Sequence, residues 1–350
     1  MRIDQFDWNQ PDETLFRCNS DIEFQDETLR DGLQCPSVVD PPIEAKLEIL
    51  HLMTAVGIHG ADLGLPGAGP RAVADVTRLV QEIVDQRLPI KPSAAGRTLA
   101  CDIDPIAEIS QRAGCLLEAD LFLGCSPVRQ YAEGWTLDQQ LRIVETAVTH
   151  AVGRGLEVMF VTEDTVRSKP ESLRRLYTLA IECGAKRVCL CDTVGHATPH
   201  GVSRLVHFMR ELVRELGQPV KIDWHGHRDR GLAVANSLAA VEAGVDRVHG
   251  TALGIGERVG NTPMEWLLLN LKLSGALDSD LRKLPDYLDA VQRHCRVALS
   301  PWSASLLSDN FNIIRESSQS VIEDALERGH LELAESLFGT RTPARTGGWQ

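Results

Sequence analysis

Long apolar runs are missing from this chain. Nothing approaches the roughly 20 apolar residues of a membrane-spanning helix, so no membrane association is expected. Positive charge is also short. The formal net charge of −13 argues against nucleic acid or an anionic membrane surface as a partner, and it means that an anionic substrate must be drawn in by a local cluster of arginines. Behind Met1-Arg2-Ile3-Asp4 there is no apolar stretch of the kind a secretory leader carries. The nine cysteines lack zinc-type spacing; the closest pair, Cys189 and Cys191, falls in a strand-like run where small apolar residues are expected in a core. A reducing, cytoplasmic setting is the expectation. A glycine-rich phosphate turn after the first strand-like run is absent as well, which counts against a doubly wound dinucleotide-binding sheet.

What the chain does have is the balance of a globular α/β protein, 43% hydrophobic and 24% charged. Eight strand-like runs recur: Ile22–Leu29, Gly60–Leu65, Lys91–Arg97, Glu118–Cys125, Leu156–Asp164, Arg187–Gly195, Val220–His227 and Arg247–Gly256. Each is followed by helical periodicity, over Pro42–Val56, Arg71–Val84, Pro105–Arg112, Leu137–Gly153, Glu171–Cys183, Gly201–Leu216, Leu232–Ala243 and Met264–Leu273. Strict alternation predicts parallel pairing, and eight units predict a closed (β/α)8 TIM barrel. The expected organisation is an N-terminal segment (1–20), a barrel domain (21–283) and a helical C-terminal extension (284–350). In that extension Pro285–Val297 and Ser318–Leu337 read as helices, Ser300–Asn312 as irregular and Thr340–Gln350 as frayed.

Asp31, Asp62, Arg97, Glu163, Thr193, His225, His227 and Asn261 all fall at or just past the C-terminal end of an expected strand. That is the face on which barrel enzymes build their sites. The sharpest signal among them is His225-Gly226-His227. Residues two apart on a strand point to one side, so both imidazoles can face a single cation. Asp31 supplies a carboxylate after the first strand, and two imidazoles with one carboxylate leave coordination positions open for substrate and water. An enzyme is expected.

The segments Asp26-Glu27-Thr28-Leu29-Arg30-Asp31-Gly32-Leu33-Gln34, Asp192-Thr193-Val194-Gly195, His225-Gly226-His227-Arg228-Asp229-Arg230-Gly231-Leu232-Ala233-Val234-Ala235-Asn236-Ser237 and Gly254-Ile255-Gly256-Glu257-Arg258-Val259-Gly260-Asn261 resemble a metal-dependent barrel family. It includes isopropylmalate, homocitrate and citramalate synthases and hydroxymethylglutaryl-CoA lyase. The resemblance runs from about Phe24 to Leu273, and the lack of a cysteine in Gly254–Asn261 looks like the synthase branch. It implies condensation of an acyl-CoA, usually acetyl-CoA, with a 2-oxo acid, followed by thioester hydrolysis to a 2-hydroxy-2-substituted diacid. It also implies a divalent ion (Mg²⁺, Mn²⁺ or Zn²⁺) held by Asp31, His225 and His227 with Asn261 as an outer contact, and a homodimer. A related carbon–carbon lyase and a metal-binding barrel without turnover are the alternatives.

The same resemblance assigns roles. Arg30 is expected on the reacting oxygen, with a salt bridge in the barrel mouth as the plainer reading. Asp62 is expected to pair with it. Glu163 is expected near the acyl thioester, or else as a solvated strand end. Gln34, Arg97, Ser126, Arg129 and Thr193 are the substrate-binding candidates; capping a strand end is the plainer role for Thr193, and a helix N-cap for Asn261. His249 is expected to be a satisfied core residue.

Three positions depart from the family's pattern. Asp62 replaces a glutamate and is one methylene shorter. Asp120 stands where synthases often have histidine, and Arg97 and Arg129 near it either receive a second anionic group of the substrate or neutralise Asp120. Asn310–Gln319 has no histidine where the synthases carry His-Glu-Ser-Gly-Ile-His.

Overall fold

The computed structural model describes residues 22–298, apart from residue 275. The strands are β1 (Glu23–Asp26), β2 (Gly60–Asp62), β3 (Lys91–Arg97), β4 (Glu118–Gly124), β5 (Glu157–Glu163), β6 (Arg187–Asp192), β7 (Lys221–Gly226) and β8 (Arg247–Gly250). They close a barrel in chain order, every neighbour parallel, with β8 returning to β1 through Glu23 opposite Arg247. The helices between them are α1 (Ile43–Ala55), α2 (Pro70–Gln86), α3 (Ala100–Ala113), α4 (Pro127–Glu133), α5 (Leu137–Gly153), α6 (Pro170–Glu182), α7 (Pro199–Leu216) and α8 (Ala233–Ala243). α9 (Met264–Leu273) and α10 (Leu284–Cys295) follow β8. The expected (β/α)8 barrel is what the chain forms.

Sequence chemistry sets the element ends. α5 opens on a capping box in which the Thr136 hydroxyl and the Gln139 side chain satisfy each other's backbone N–H groups. α2, α6 and α7 start on prolines, which have no N–H to leave unpaired in a first turn. Two helices differ from expectation. α3 begins at Ala100 rather than Pro105, because the Asp102 carboxylate in its first turn accepts from the backbone and guanidinium of Arg97 and fastens the start. α4 was not expected; it is two turns long, buries no side chain, and is started by Ser126, whose hydroxyl accepts from the Arg129 N–H.

The apolar core lies between strands and helices, where Phe24, Ile49, Met53, Leu79, Ile106, Phe160, Leu176 and Trp224 are fully buried. The lower interior of the barrel is ionic instead. Asp223 on β7 accepts from Arg187 Nη1 and Arg247 Nε, each at 2.6 Å, and these arginines reach Glu23 (2.8 Å) and Glu118 (2.5 Å). Burial pushes the Asp223 carboxyl up, but Arg247 and Arg187 outweigh it and hold it well below the usual range. Cys189 and Cys191 pack above this layer with Met159, as core residues.

Leu284, where the extension was expected to begin, opens a helix docked on the barrel. α10 packs along α1, and its Tyr287 hydroxyl donates to Asp26 and sits 3.1 Å from Thr28 Oγ1. The expectations for 1–20, Ser300–Asn312, Asn310–Gln319, Ser318–Leu337 and Thr340–Gln350 lie outside the described residues.

Candidate metal centre and active site

After β1 the chain turns sharply. Asp26 Oδ1 accepts from the Thr28 N–H at 2.8 Å, and the Gly32 N–H returns to the Glu27 carbonyl at 2.9 Å. This turn puts Arg30 and Asp31 over the C-terminal mouth. Across the barrel, β7 delivers His225, and the next residue on that side, His227, is pinned by a bridge to Asn261. Asp31 Oδ2 lies 3.5 Å from His225 Nε2 and 3.6 Å from His227 Nε2, and the two Nε2 atoms are 3.2 Å apart. A cation bonded at about 2.1 Å places its ligand atoms roughly 3.0–3.4 Å from one another. The donor set therefore fits a divalent ion, and all three side chains are buried.

The surroundings favour the liganding state. His227 is pushed down to about 4, first by burial and then by His225, so its imidazole is neutral at ordinary pH. Burial raises the Asp31 carboxyl, but Arg30, His225 and His227 outweigh it and hold it below its normal value. His225 Nδ1 is 3.2 Å from Glu27 Oε1. That carboxylate fixes the ring so that Nε2 faces the cluster, the usual support for a metal-bound imidazole. Glu27 Oε1 also takes His249 Nδ1 at 2.5 Å, and His249 Nε2 meets Asp223 Oδ2 at 2.9 Å. Burial would strip the proton from His249, yet these two carboxylates outweigh it and raise its pKa. A hydrogen-bonded chain thus links the ionic floor to His225. Glu27, His225 and His249 also converge, but their 2.5 Å contact is a hydrogen bond and leaves no room for an ion between.

Asn261 does not cap a helix; Pro263 holds the N-cap of α9. Its amide oxygen is buried without a hydrogen-bond partner among the described residues, which suits an outer contact to a cation or oxyanion. The loop that brings it in depends on Gly256, with φ +152° and a would-be Cβ only 2.1 Å from Asn261 Nδ2 and 3.2 Å from Asp31 Oδ1. Above it, Arg258 grips Asp229 through two 2.9 Å contacts and donates to the Thr193 carbonyl, tying together the loops after β6, β7 and β8.

Arg30 is held by three acids. Its Nε donates to Asp62 at 2.7 Å, so the shorter side chain does reach; Nη2 meets Glu27, and Nη1 lies 3.5 Å from Asp31. Asp62 itself is raised to about 6 by burial, against the lowering pull of Arg30. Glu163, at the end of β5, is also raised by burial and lies 3.5 Å from Arg129 Nη2.

Other candidates are placed elsewhere. Ser126 is fully buried and serves as the cap of α4. Gln34 is exposed on the short turn after Asp31. The Thr193 hydroxyl accepts from the Asp164 N–H at 2.8 Å, the plainer of its two expected roles. Arg97 forks onto Asp102, and Arg129 lies between Glu133 and Glu163. Neither is Asp120's partner. Asp120 is sealed inside the barrel with one oxygen unpartnered among the described residues, and burial, with Glu118 and Asp62 nearby, drives its pKa well up. Mutual neutralisation is therefore not the arrangement. The residues missed in the sequence are Glu27 and His249 as supports of His225; the β1–β8 pairing that joins them leaves no mark in a linear pattern.

A parallel (β/α)8 barrel with two imidazoles and a carboxylate converging at its C-terminal mouth defines a barrel protein with a candidate site for a divalent ion. The HMGL-like family matches residues 21–291, and the chain belongs to that family. It is 31% identical to homocitrate synthase of Sulfolobus acidocaldarius over 285 residues, 80% of this chain and 58% of that protein. It is 34% identical to a probable 2-isopropylmalate synthase of Methanopyrus kandleri over 262 residues, 75% of this chain and 50% of that one. The chain thus spans between half and three-fifths of the length of these relatives. Among solved structures, the HMG-CoA lyase of Bacillus subtilis superposes with a TM-score of 0.66 at 21% identity, covering 85% of this chain and 99% of that one; at this identity the likeness speaks for the fold.

Proposed function

We propose that the protein condenses an acyl-CoA, acetyl-CoA in the first instance, with a 2-oxo acid and then hydrolyses the thioester. The products are CoA and a 2-hydroxy-2-substituted diacid. The observation that carries this reading is the convergence of Asp31, His225 and His227 within 3.2–3.6 Å; the synthase names of its curated relatives agree with it.

In this reading Asp31, His225 and His227 hold a divalent ion, with Asn261 beside them. An ion held there, Mg²⁺, Mn²⁺ or Zn²⁺, would supply Lewis acidity toward the ketone of a 2-oxo acid. Arg30 is a permanent cation fixed by Asp62 and Glu27, so it is already aimed when negative charge grows on the reacting oxygen. Glu27 holds the His225 ring and needs no motion to do so. Glu163, partly exposed and raised by burial, is suited to orient the water that attacks the thioester or to accept its proton. A homodimer in the cytoplasm is the expected working form, which light scattering after size exclusion would check for its stoichiometry.

The test is thiol release from acetyl-CoA against a panel of 2-oxo acids with Mg²⁺, Mn²⁺ or Zn²⁺. Metal-dependent release with one of them supports the synthase. No release with any, together with cleavage of a hydroxyacyl thioester, replaces it with a lyase.

A further inference from the structure

Eight strands and eight helices complete the barrel once the short α4 is set aside, so α10 is surplus to it. It is buried along α1 all the same, with Tyr287 near its start and Cys295 at its end fully inaccessible. These two residues hold opposite ends of the loop between β1 and α1. Near β1, the Tyr287 hydroxyl donates to Asp26 Oδ2. Near α1, the Cys295 carbonyl accepts from the Val39 N–H at 2.9 Å. Arg30 and Asp31 lie on the stretch between.

We propose that Tyr287 is a positioning residue of the candidate metal centre: its hydroxyl fastens the turn after β1 to α10 and so sets where the Asp31 carboxylate meets a cation. The inference rests on the metal-centre reading above. Tyr287 acts through two neighbours. Asp26 takes the tyrosine proton on Oδ2 and the Thr28 N–H, at 2.8 Å, on Oδ1. Because that proton is committed to Asp26, the 3.1 Å contact between Tyr287 and Thr28 Oγ1 is donated by the threonine. Thr28 Oγ1 in turn accepts from the Ala252 N–H at 2.9 Å. One run of hydrogen bonds therefore joins the loop after β8, the turn after β1 and α10, and all four residues in it are fully buried. A buried run of this kind is rigid while every member is satisfied, and it is costly to break. Asp31 has little else to hold it. Beside Arg30 and the two imidazoles, its carboxylate receives only the Glu257 N–H at 3.4 Å among the described residues. Its place is set by the backbone of the turn, and the turn is tied down at Asp26 and Thr28.

The test is Mn²⁺ affinity, measured by calorimetry on the full chain, with thermal melting of the metal-free protein beside it. Tyr287→Phe removes only the hydroxyl. Tyr177→Phe is the matched control: that tyrosine is equally buried and donates to the Cys189 carbonyl at 2.8 Å, but on β6, across the barrel from the turn. Tyr287→Phe should bind Mn²⁺ at least about fivefold more weakly, the loss expected when a buried hydrogen bond is broken. Tyr177→Phe should bind like the wild type, although both variants melt earlier. Thr28→Val breaks the same run at its middle, so it should weaken Mn²⁺ too, and the double variant should lose less than the two single losses combined. Wild-type affinity in Tyr287→Phe, an equal loss in Tyr177→Phe, or full additivity with Thr28→Val overturns the proposal and leaves the metal centre standing. A wild-type protein that binds no Mn²⁺ overturns the metal-centre reading and this inference with it.

Discussion

Glu27 is the residue on which the centre turns. It contacts Arg30, His225 and His249 at once from a buried position. Glu27→Gln keeps the volume and removes the charge; supports of this kind typically contribute 10- to 100-fold in metal affinity. The variant should therefore bind Mn²⁺ about 10- to 100-fold more weakly in a calorimetric titration while its circular dichroism is unchanged. Equal affinity would make Glu27 a bystander. Glu265 makes a separate prediction. Burial raises its carboxyl to about 7, although the Leu253 N–H donates to it. A folded-state value above the ordinary 4.5 means that its contribution to stability is full below about pH 4.5 and is lost as pH rises through about 7. Glu265→Gln should remove that slope and gain on the order of 3 kcal/mol above pH 7, seen in urea midpoints at pH 5 and pH 8. Asp31, His225 and His227 were legible because a strand's two-residue period and a strand-end acid are visible in sequence. Glu27 stood in the same motif, but its role depends on β1 meeting β7 and β8 in space.

Among the elements, the loop from Gly254 to Asn261 is the most exacting. Gly256 allows its backbone to approach Asp31 and Asn261 where a Cβ has no room. Gly256→Ala should displace Asn261 and reduce metal-dependent turnover by at least about tenfold, since a misplacement near 1 Å at a site can cost more than that. Thermal melting would show the barrel still folded, and an unchanged rate would show the loop to be slack. The glycines here are plain in the sequence; which of them sits against a ligand is not. Other boundaries were legible to within a few residues because periodicity, Pro first turns and caps are local, except that β8 ends at Gly250, six residues before the expected Gly256, where the chain turns through Ala252–Gly254. α3 escaped because a proline suggested a start that Asp102 had already set five residues' length earlier through Arg97. α4 escaped because it buries nothing and so carries no apolar stripe.

At the scale of the whole molecule, alternation of strand and helix was enough to give the closed barrel, while its ionic interior was not legible. Arg187, Asp223 and Arg247 lie in different strand-like runs, and only the barrel's closure brings them into one layer. Removing one member of a buried ionic set leaves the others unpaired and costs about 3–5 kcal/mol. Asp223→Asn should accordingly lower the melting temperature by roughly 10 °C; a shift of only a degree or two would mean that water or rearrangement relieves the two arginines. The central claim is that the mouth of this barrel holds one divalent cation between β1 and β7. Anomalous diffraction at the manganese edge from crystals grown with Mn²⁺ tests it most directly. The account predicts a single ion within about 2.3 Å of Asp31, His225 Nε2 and His227 Nε2. An ion seated instead between Glu27, His225 Nδ1 and His249, or a centre that stays empty at saturating Mn²⁺, would contradict it.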